Sequence, residues 1–282
     1  MDTASPPPVQ IVEADAPCTR CGYSLRGLSV VGKCPECSWA IEASLRGGLL
    51  RYAGPEYLGS LIFGAMVIVV TNIAAAVLSM VAMIVAMILA FTVAASGGAI
   101  AALPSLESVT LILAVVASLA SLVGYWQFTT PDPATERSEQ PRAARRVVRA
   151  SVVATLVVQV ALLAVNLFSP GLATGATANP LSLANAAQLA SGLLNLAGFA
   201  FGAVHFFAMM LYVRWLAMRI PDAAIVQQTR TYIWLLPVLY TVGALCIGIG
   251  PLVALVLYVV QVWRLRGMIV LARAESLRLA AA

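Results

Sequence analysis

Charged residues are scarce in this 282-residue chain. Lys, Arg, Asp and Glu together make up 10% of the sequence, whereas hydrophobic residues make up 61%. Soluble domains contain about 25% charged and about 45–50% apolar residues, so a single soluble core cannot bury this much apolar surface. The mean hydropathy of +0.93 indicates that most of the chain lies in a lipid bilayer. We predict an all-α polytopic membrane protein.

The apolar runs also lack the groups that intramembrane enzymes use. Glu107 is the sole charged residue between Tyr57 and Phe128, and His205 is the only histidine of the chain. An aspartyl protease needs two carboxylates in the bilayer, and a zinc protease needs an H-E-x-x-H motif. Neither is present, and no G-x-S-x-G motif precedes His205. The sequence therefore predicts a protein that is not an enzyme and has no catalytic residues.

Lysine is almost missing, because Lys33 is the only one and the other basic residues are arginines. The arginines lie at the ends of the apolar runs, where they orient a membrane protein and contact anionic headgroups. A nucleic-acid surface needs a basic stripe with polar or aromatic readers on a soluble face. We therefore expect membrane lipids as partners, and no nucleic acid.

Four of the five cysteines lie within twenty residues, as two C-x-x-C pairs: Cys18 with Cys21, and Cys34 with Cys37. The preceding residues have neither the basic start nor the apolar stretch of a signal peptide, which predicts a reducing cytoplasmic location. There, this spacing indicates a metal site, and four thiolates suit tetrahedral Zn²⁺. Such a closed site is structural. The alternative, a redox dithiol, needs a thioredoxin-like scaffold that the sequence lacks.

The segment C-T-R-C-G-Y-S-L-R-G-L followed by G-K-C-P-E-C resembles a known module. It is similar to the N-terminal zinc ribbon of uncharacterised bacterial polytopic membrane proteins, over roughly residues 17–40. The resemblance implies a structural zinc ion bound by the four cysteines. It implies no common activity, because zinc ribbons serve as docking modules for proteins, nucleic acids or membranes.

Composition divides the chain into five parts. We predict a disordered tail at 1–16, the ribbon at 17–40, a linker or short interfacial helix at 41–56, a transmembrane domain at 57–271 and a cytoplasmic tail at 272–282. A span takes about 20 residues of helix. Six spans are predicted at about 58–92, 108–128, 147–168, 184–213, 231–247 and 251–270.

The last apolar run has two interpretations, because residues 231–263 can form one long helix or two shorter ones separated by Gly248–Pro251. Two crossings keep all 17 basic residues on one side, as the positive-inside rule favours. This arrangement places both termini in the cytoplasm, in a multi-pass protein of the inner membrane. The fifth span is short, so a re-entrant pair stays an alternative.

Uncharged polar residues form a stripe on the third and fourth spans. Either they hydrogen-bond one another inside the bundle, or they line a path for a solute. His205 could ligate haem or copper, but one histidine per chain favours a packed, neutral imidazole. The polar seam consists of Thr155, Gln159, Asn166, Gln188, Asn195 and His205.

These features favour a non-enzymatic adaptor or scaffold whose ribbon docks a cytoplasmic protein partner. The competing hypothesis is a small-solute transporter or channel with the polar seam between spans three and four as its path. Membrane carboxylates, which proton- or sodium-coupled transporters commonly use, are missing from the predicted spans.

Overall fold

The computed structural model describes residues 11–13, 15–18, 20–42, 44–45, 49–96, 103–133, 141–168, 183–220, 222–246 and 249–281. Over these residues the chain forms six α-helices and no named β-strand, so the predicted all-α class is confirmed. A small N-terminal module precedes the helices. The turn residues Gly248 and those of the loop at 169–182 lie outside the described residues.

The six helices follow the apolar runs of the sequence. Pro55 and Glu56 open the first one, in the positions where a fixed φ and a negative charge favour a helix N-terminus. A short 3-10 helix at Leu50–Tyr52 precedes it, within the predicted linker. The helices are α1 (Pro55–Ser96), α2 (Leu103–Phe128), α3 (Arg142–Phe168), α4 (Leu183–Ala217), α5 (Ala223–Cys246) and α6 (Gly250–Ala281).

Five of the helices in the described part of the chain are long and apolar enough to cross a membrane. α1 is the longest at 42 residues, or about 63 Å at 1.5 Å per residue, as expected for its uninterrupted apolar run. α5 is not among the five, and it carries Arg230 and an interior proline, Pro237. The helix with the weakest membrane-spanning character is thus the one whose predicted span is shortest.

Several helices extend beyond the predicted spans; α2 begins at Leu103 instead of 108, and α5 begins at Ala223 instead of 231. α3 begins at Arg142, five residues before the predicted span, because Ala144, Val148 and Val152 form a buried stripe along its first turns. α6 continues to Ala281 and so includes most of the predicted tail at 272–282. Ser276 explains part of this extension, since its buried hydroxyl donates a hydrogen bond of 2.8 Å to the Ala53 carbonyl.

The helices form a closed ring. Each packs against its neighbour in sequence, and α6 packs back against α1. Glycines allow the closest approach: a Cβ at Gly64 of α1 would collide with the backbone of Phe128, and one at Gly124 of α2 would lie 2.9 Å from the Val67 side chain. α1 and α2 therefore pack almost backbone to backbone.

Packing is tightest at one end of the ring, which we call the arginine end. The largest buried cluster includes Tyr57, Phe128, Val148 and Leu216, each on a different helix near that end. The Arg149 side chain caps the C-terminal end of α2 there. Its guanidinium lies 4.2 Å from the Trp126 ring centroid and donates to the Thr129 carbonyl at 3.0 Å.

Candidate metal centre

The first C-x-x-C pair is shaped by a tight backbone turn. The Gly22 N–H donates to the Cys18 carbonyl at 2.8 Å, and the Cys18 N–H donates to the Tyr23 carbonyl at 2.7 Å. This turn needs a left-handed residue after the second cysteine, and Gly22 supplies it with φ of 81°. The turn brings the Cys18 and Cys21 thiols to the same side.

The second pair repeats this geometry sixteen residues later. The Ser38 N–H donates to the Cys34 carbonyl at 2.9 Å, and the Cys34 N–H donates to the Trp39 carbonyl at 2.8 Å. Each half of the module also contains one isolated antiparallel bridge and one buried aliphatic residue. The equivalent pairs are Pro17–Ser24 and Lys33–Ala40 for the bridges, and Leu25 and Ile41 for the aliphatic residues.

The module is therefore an internal duplication of one structural unit. Its sequence signal is cysteine, two residues, cysteine, a small residue, an aromatic residue, a small residue and an aliphatic residue, at 18–25 and again at 34–41. Motif spacing alone identified the cysteines but missed this repeat. The two halves also contact each other, since the Arg20 guanidinium lies 5.5 Å from the Trp39 ring centroid.

The module begins earlier than the sequence predicts. Residues 11–13 and 15–16, expected to belong to a disordered tail, pair with the module instead: the Val12 N–H donates to the Leu28 carbonyl at 2.9 Å, and the Ala16 carbonyl accepts from Leu25 at 2.8 Å. Val12 and Ala16 are buried beside Leu25 and Ile41. A core this small gains a useful fraction of its apolar contact from two extra side chains.

The four thiols form a compact cluster. All four Sγ atoms lie within 4.8 Å of one another, and those of Cys18–Cys37 and Cys21–Cys34 are each 3.6 Å apart. A disulfide would need about 2.05 Å. A tetrahedron of sulfurs with metal–sulfur bonds of about 2.3 Å has edges of about 3.8 Å. The cluster thus fits a tetrahedral metal ion bound by four sulfurs.

The thiols lie in unequal environments. Cys18 and Cys34 are buried, and Cys37 is half-buried. Cys21 is an exposed residue, although its sulfur faces the other three sulfurs. Burial raises the pKa of Cys34, but backbone N–H groups of Cys37 and Glu36 and the neighbouring thiols outweigh it and lower that pKa to about 7. Burial and the other thiols raise the pKa of Cys21 to about 12.

Cys34 therefore ionises before Cys21 as the pH rises. A thiolate, not a thiol, is the metal ligand, so metal binding must displace the remaining protons. Such a site can coordinate a soft or borderline cation through its sulfurs. A tetrahedral site made of four thiolates suits zinc or iron and leaves no coordination position for a substrate.

The residues of the predicted polar seam separate into two groups. Three of them bond inside the bundle. His205 Nδ1 of α4 lies 3.0 Å from Ser151 Oγ of α3, and Asn166 of α3 accepts a hydrogen bond of 2.7 Å from Ser108 of α2. Within α3, Thr155 donates to the Ser151 carbonyl at 2.9 Å. Gln159 is half-buried on α3. Gln188 and Asn195 are exposed on α4, and Asn195 donates to the Ser191 carbonyl at 2.9 Å.

Sequence reasoning missed the partners around His205. The Tyr125 ring lies 4.6 Å from the imidazole, edge to face, and its hydroxyl is 3.0 Å from that of Tyr258. The Asn72 amide lies 3.4 Å from the same Tyr125 hydroxyl. These contacts join α1, α2, α4 and α6. Single polar residues on separate helices gave no periodic signal that could have linked them.

A buried ion pair was also missed. The Arg219 guanidinium lies 2.5 Å from the Asp132 carboxylate, and the two side chains are 4% and 0% exposed. The Arg219 carbonyl accepts a hydrogen bond of 3.0 Å from the Leu50 N–H. Arg219 therefore ties the linker after the cysteine module to the end of α4 and to the segment after α2.

Comparisons with known proteins give no relatives. No family model matches the chain. No curated protein and no solved structure shows significant similarity to it. The resemblance to zinc ribbons consequently stays a prediction from the cysteine motif.

Proposed function

We propose that this protein is a membrane-anchored adaptor, in which a zinc-binding module docks a cytoplasmic protein partner. The observation that carries the proposal is the closed cluster of four thiols, because a fully coordinated metal serves structure and not catalysis. Zinc is the proposed ion, since paired C-x-x-C motifs in a reducing compartment favour it. The protein would lie in the inner membrane with both termini in the cytoplasm.

The surface of the module supports a docking role. Val31 is 83% exposed, and Ile11 and Tyr23 are 56% and 41% exposed. These side chains stand outside the buried core of the module, which contains Leu25 and Ile41. Exposed apolar and aromatic side chains beside a rigid scaffold are common anchors at protein interfaces.

The attachment of the module supports an adaptor as well. The linker residues Leu49, Leu50 and Ala53 are buried. The Leu50 N–H donates to the Arg219 carbonyl, and the Ala53 carbonyl accepts from the Ser276 hydroxyl. The chain that leaves the module is therefore fixed to the arginine end of the ring. The polar seam fits this proposal where its members bond other residues inside the bundle, as His205 does with Ser151.

Site-specific photo-crosslinking in cells tests the proposal. A photoreactive residue at Val31 is expected to give a discrete protein adduct, and the adduct should disappear when Cys34→Ser disrupts the metal site. The matched control is Leu277, which is 50% exposed on α6 at the arginine end and should give no such adduct. An adduct at Val31 that survives Cys34→Ser, or no adduct at all, would contradict the proposal.

A further inference from the structure

The four cysteines of the metal site differ sharply in their access to solvent. Cys18 and Cys34 are 0% and 2% exposed, whereas Cys21 is an exposed residue. A cysteine sulfur that is held as a thiolate and can be reached from solvent is the one that a small oxidant modifies first. Oxidation of this cluster therefore begins at Cys21.

Cys18 is shielded in a second way. The Ser44 hydroxyl donates a buried hydrogen bond of 3.8 Å to the Cys18 sulfur. A hydrogen-bond donor stabilises a thiolate and makes it a weaker nucleophile. Cys18 is consequently the ligand that is least available for oxidation, at the opposite extreme from Cys21.

The sulfur that can react with an oxidised Cys21 belongs to the other half of the module. Cys21 Sγ lies 3.6 Å from Cys34 Sγ, and Cys18 Sγ lies 3.6 Å from Cys37 Sγ. A disulfide of about 2.05 Å requires each of these pairs to approach by only about 1.5 Å. Both contacts join one C-x-x-C motif to the other, so the geometry favours a disulfide between the halves.

We propose that the cysteine cluster is a site of reversible oxidation by peroxides, with Cys21 as the attacking thiolate and Cys34 as the resolving one. The Cys21 sulfur attacks one peroxide oxygen and breaks the O–O bond. It becomes a sulfenic acid, and a proton from solvent completes the first water molecule. The Cys34 thiolate then forms the disulfide and displaces hydroxide, which a second proton converts to water. The two sulfurs lose two electrons, and the peroxide gains them.

The disulfide removes two of the four metal ligands, because the ligand is a thiolate and not a disulfide sulfur. Cys18 and Cys37 alone cannot complete a tetrahedral site. The module has a small buried core, so its folding depends on the metal. Oxidation therefore releases zinc and loosens the scaffold that carries the exposed Val31. The inference thus rests on the metal site of the proposed function and describes its regulation.

Disulfide mapping of the purified, zinc-loaded, full-length protein tests the inference. The protein is treated with excess hydrogen peroxide, its free thiols are alkylated, and its tryptic peptides are analysed by mass spectrometry. Trypsin cleaves after Arg20 and Lys33, which places Cys21 on a different peptide from Cys18 and from Cys34. We expect a Cys21–Cys34 disulfide and the release of about one zinc per chain to a chromophoric chelator. Dithiothreitol with added zinc should restore the metal content.

Two variants form a matched pair, because each removes one metal ligand. Cys37→Ser retains the reacting couple and should still form the Cys21–Cys34 disulfide, whereas Cys21→Ser should resist the same dose of peroxide. A defect in folding or metal binding would affect both variants alike. A disulfide within either C-x-x-C motif, a Cys18–Cys37 disulfide that forms first, or unchanged thiols in the wild type would overturn the inference.

Failure of this inference differs from failure of the proposed function. Zinc is measured before peroxide is added, and a protein without zinc at that stage contradicts the proposed metal site. Crosslinking at Val31 is performed without peroxide, so a missing adduct contradicts docking alone. The disulfide map decides the oxidation in each case.

Discussion

Ser38 adopts the same left-handed backbone conformation as Gly22, at the equivalent position of the second half of the cysteine module. Their φ angles are 56° and 81°, and each N–H donates to the carbonyl of the first cysteine of its pair. Glycine takes this conformation without steric cost, whereas a residue with a Cβ is destabilised by about 1–2 kcal/mol. The duplication is therefore asymmetric, with backbone strain in its second half.

Ser38→Gly is expected to strengthen metal binding. Relief of the left-handed strain outweighs the additional entropy that glycine loses on folding, about 0.5–1 kcal/mol, and leaves a net gain of up to about 1 kcal/mol. Because metal binding and folding of so small a module are coupled, we expect zinc affinity to increase by up to about fivefold. Competition with a chromophoric chelator measures the change.

The reciprocal substitution is the control for this effect. Gly22→Ser introduces the same strain into the first half and should weaken zinc binding by a similar factor, since no atom of the described residues lies within 4 Å of the added Cβ to cause a direct clash. If both substitutions weaken binding, the Ser38 side chain has another role and backbone strain does not explain the asymmetry.

The metal content of the purified protein tests the zinc assignment. We expect about one zinc per chain, and Cys34→Ser should remove most of it, because a buried thiolate of the tetrahedron is lost. Cys246→Ser, a cysteine at the end of α5, is the matched control and should retain full occupancy. Elemental analysis gives the ratio. Iron, recognised by strong visible absorption, would contradict the assignment of zinc but would still agree with a four-sulfur metal site.

Asp132→Asn should destabilise the arginine end of the ring. The substitution leaves the Arg219 guanidinium, which is 4% exposed, without its counter-charge, and removal of one partner of a buried ion pair costs about 3–5 kcal/mol. We expect a clear decrease in the thermal unfolding temperature in detergent. Neutralising Arg219 as well, with Asp132→Asn and Arg219→Met together, should restore part of the stability.

Asp222→Asn is the control for the loss of a carboxylate. Asp222 lies just before α5, and its carboxylate accepts from the Ala224 N–H at 2.9 Å as a helix cap. Asparagine caps a helix about as well as aspartate, so this variant should unfold near the wild-type temperature. Equal unfolding temperatures for Asp132→Asn and Asp222→Asn would show that the ion pair contributes little.

The sequence predicts well what depends on neighbouring residues. A charge-free run is sufficient to place a helix in lipid, and the four cysteines define their cluster through spacing alone. The conformation of Ser38 is local in the same way, because Ser38 occupies the position equivalent to Gly22 and has a positive φ as well.

Contacts between distant segments could not be predicted. Asp132 and Arg219 are 87 residues apart in polar segments, where nothing in either neighbourhood specifies the other. The position of the α5–α6 hairpin along the ring axis depends likewise on distant contacts. It is set by the turn of α2 that contacts Tyr258 and by the turn of α4 that contacts Tyr240. Hydropathy gives the length of a helix but not its position along the ring axis against its neighbours.

Gly64→Ala should separate α1 from α2. A Cβ at Gly64 would collide with the backbone of Phe128, which cannot rotate away as a side chain could, so the two helices must move apart. Overpacking of this kind costs about 1–3 kcal/mol, more than the gain in helix propensity from replacing glycine. Gly267→Ala gains the same propensity, and no atom of the described chain lies within 4 Å of its Cβ, so it should be neutral or slightly stabilising. Thermal unfolding of both variants in the same detergent separates packing from propensity. Were Gly64→Ala as stable as Gly267→Ala, close contact between α1 and α2 would not hold the ring together.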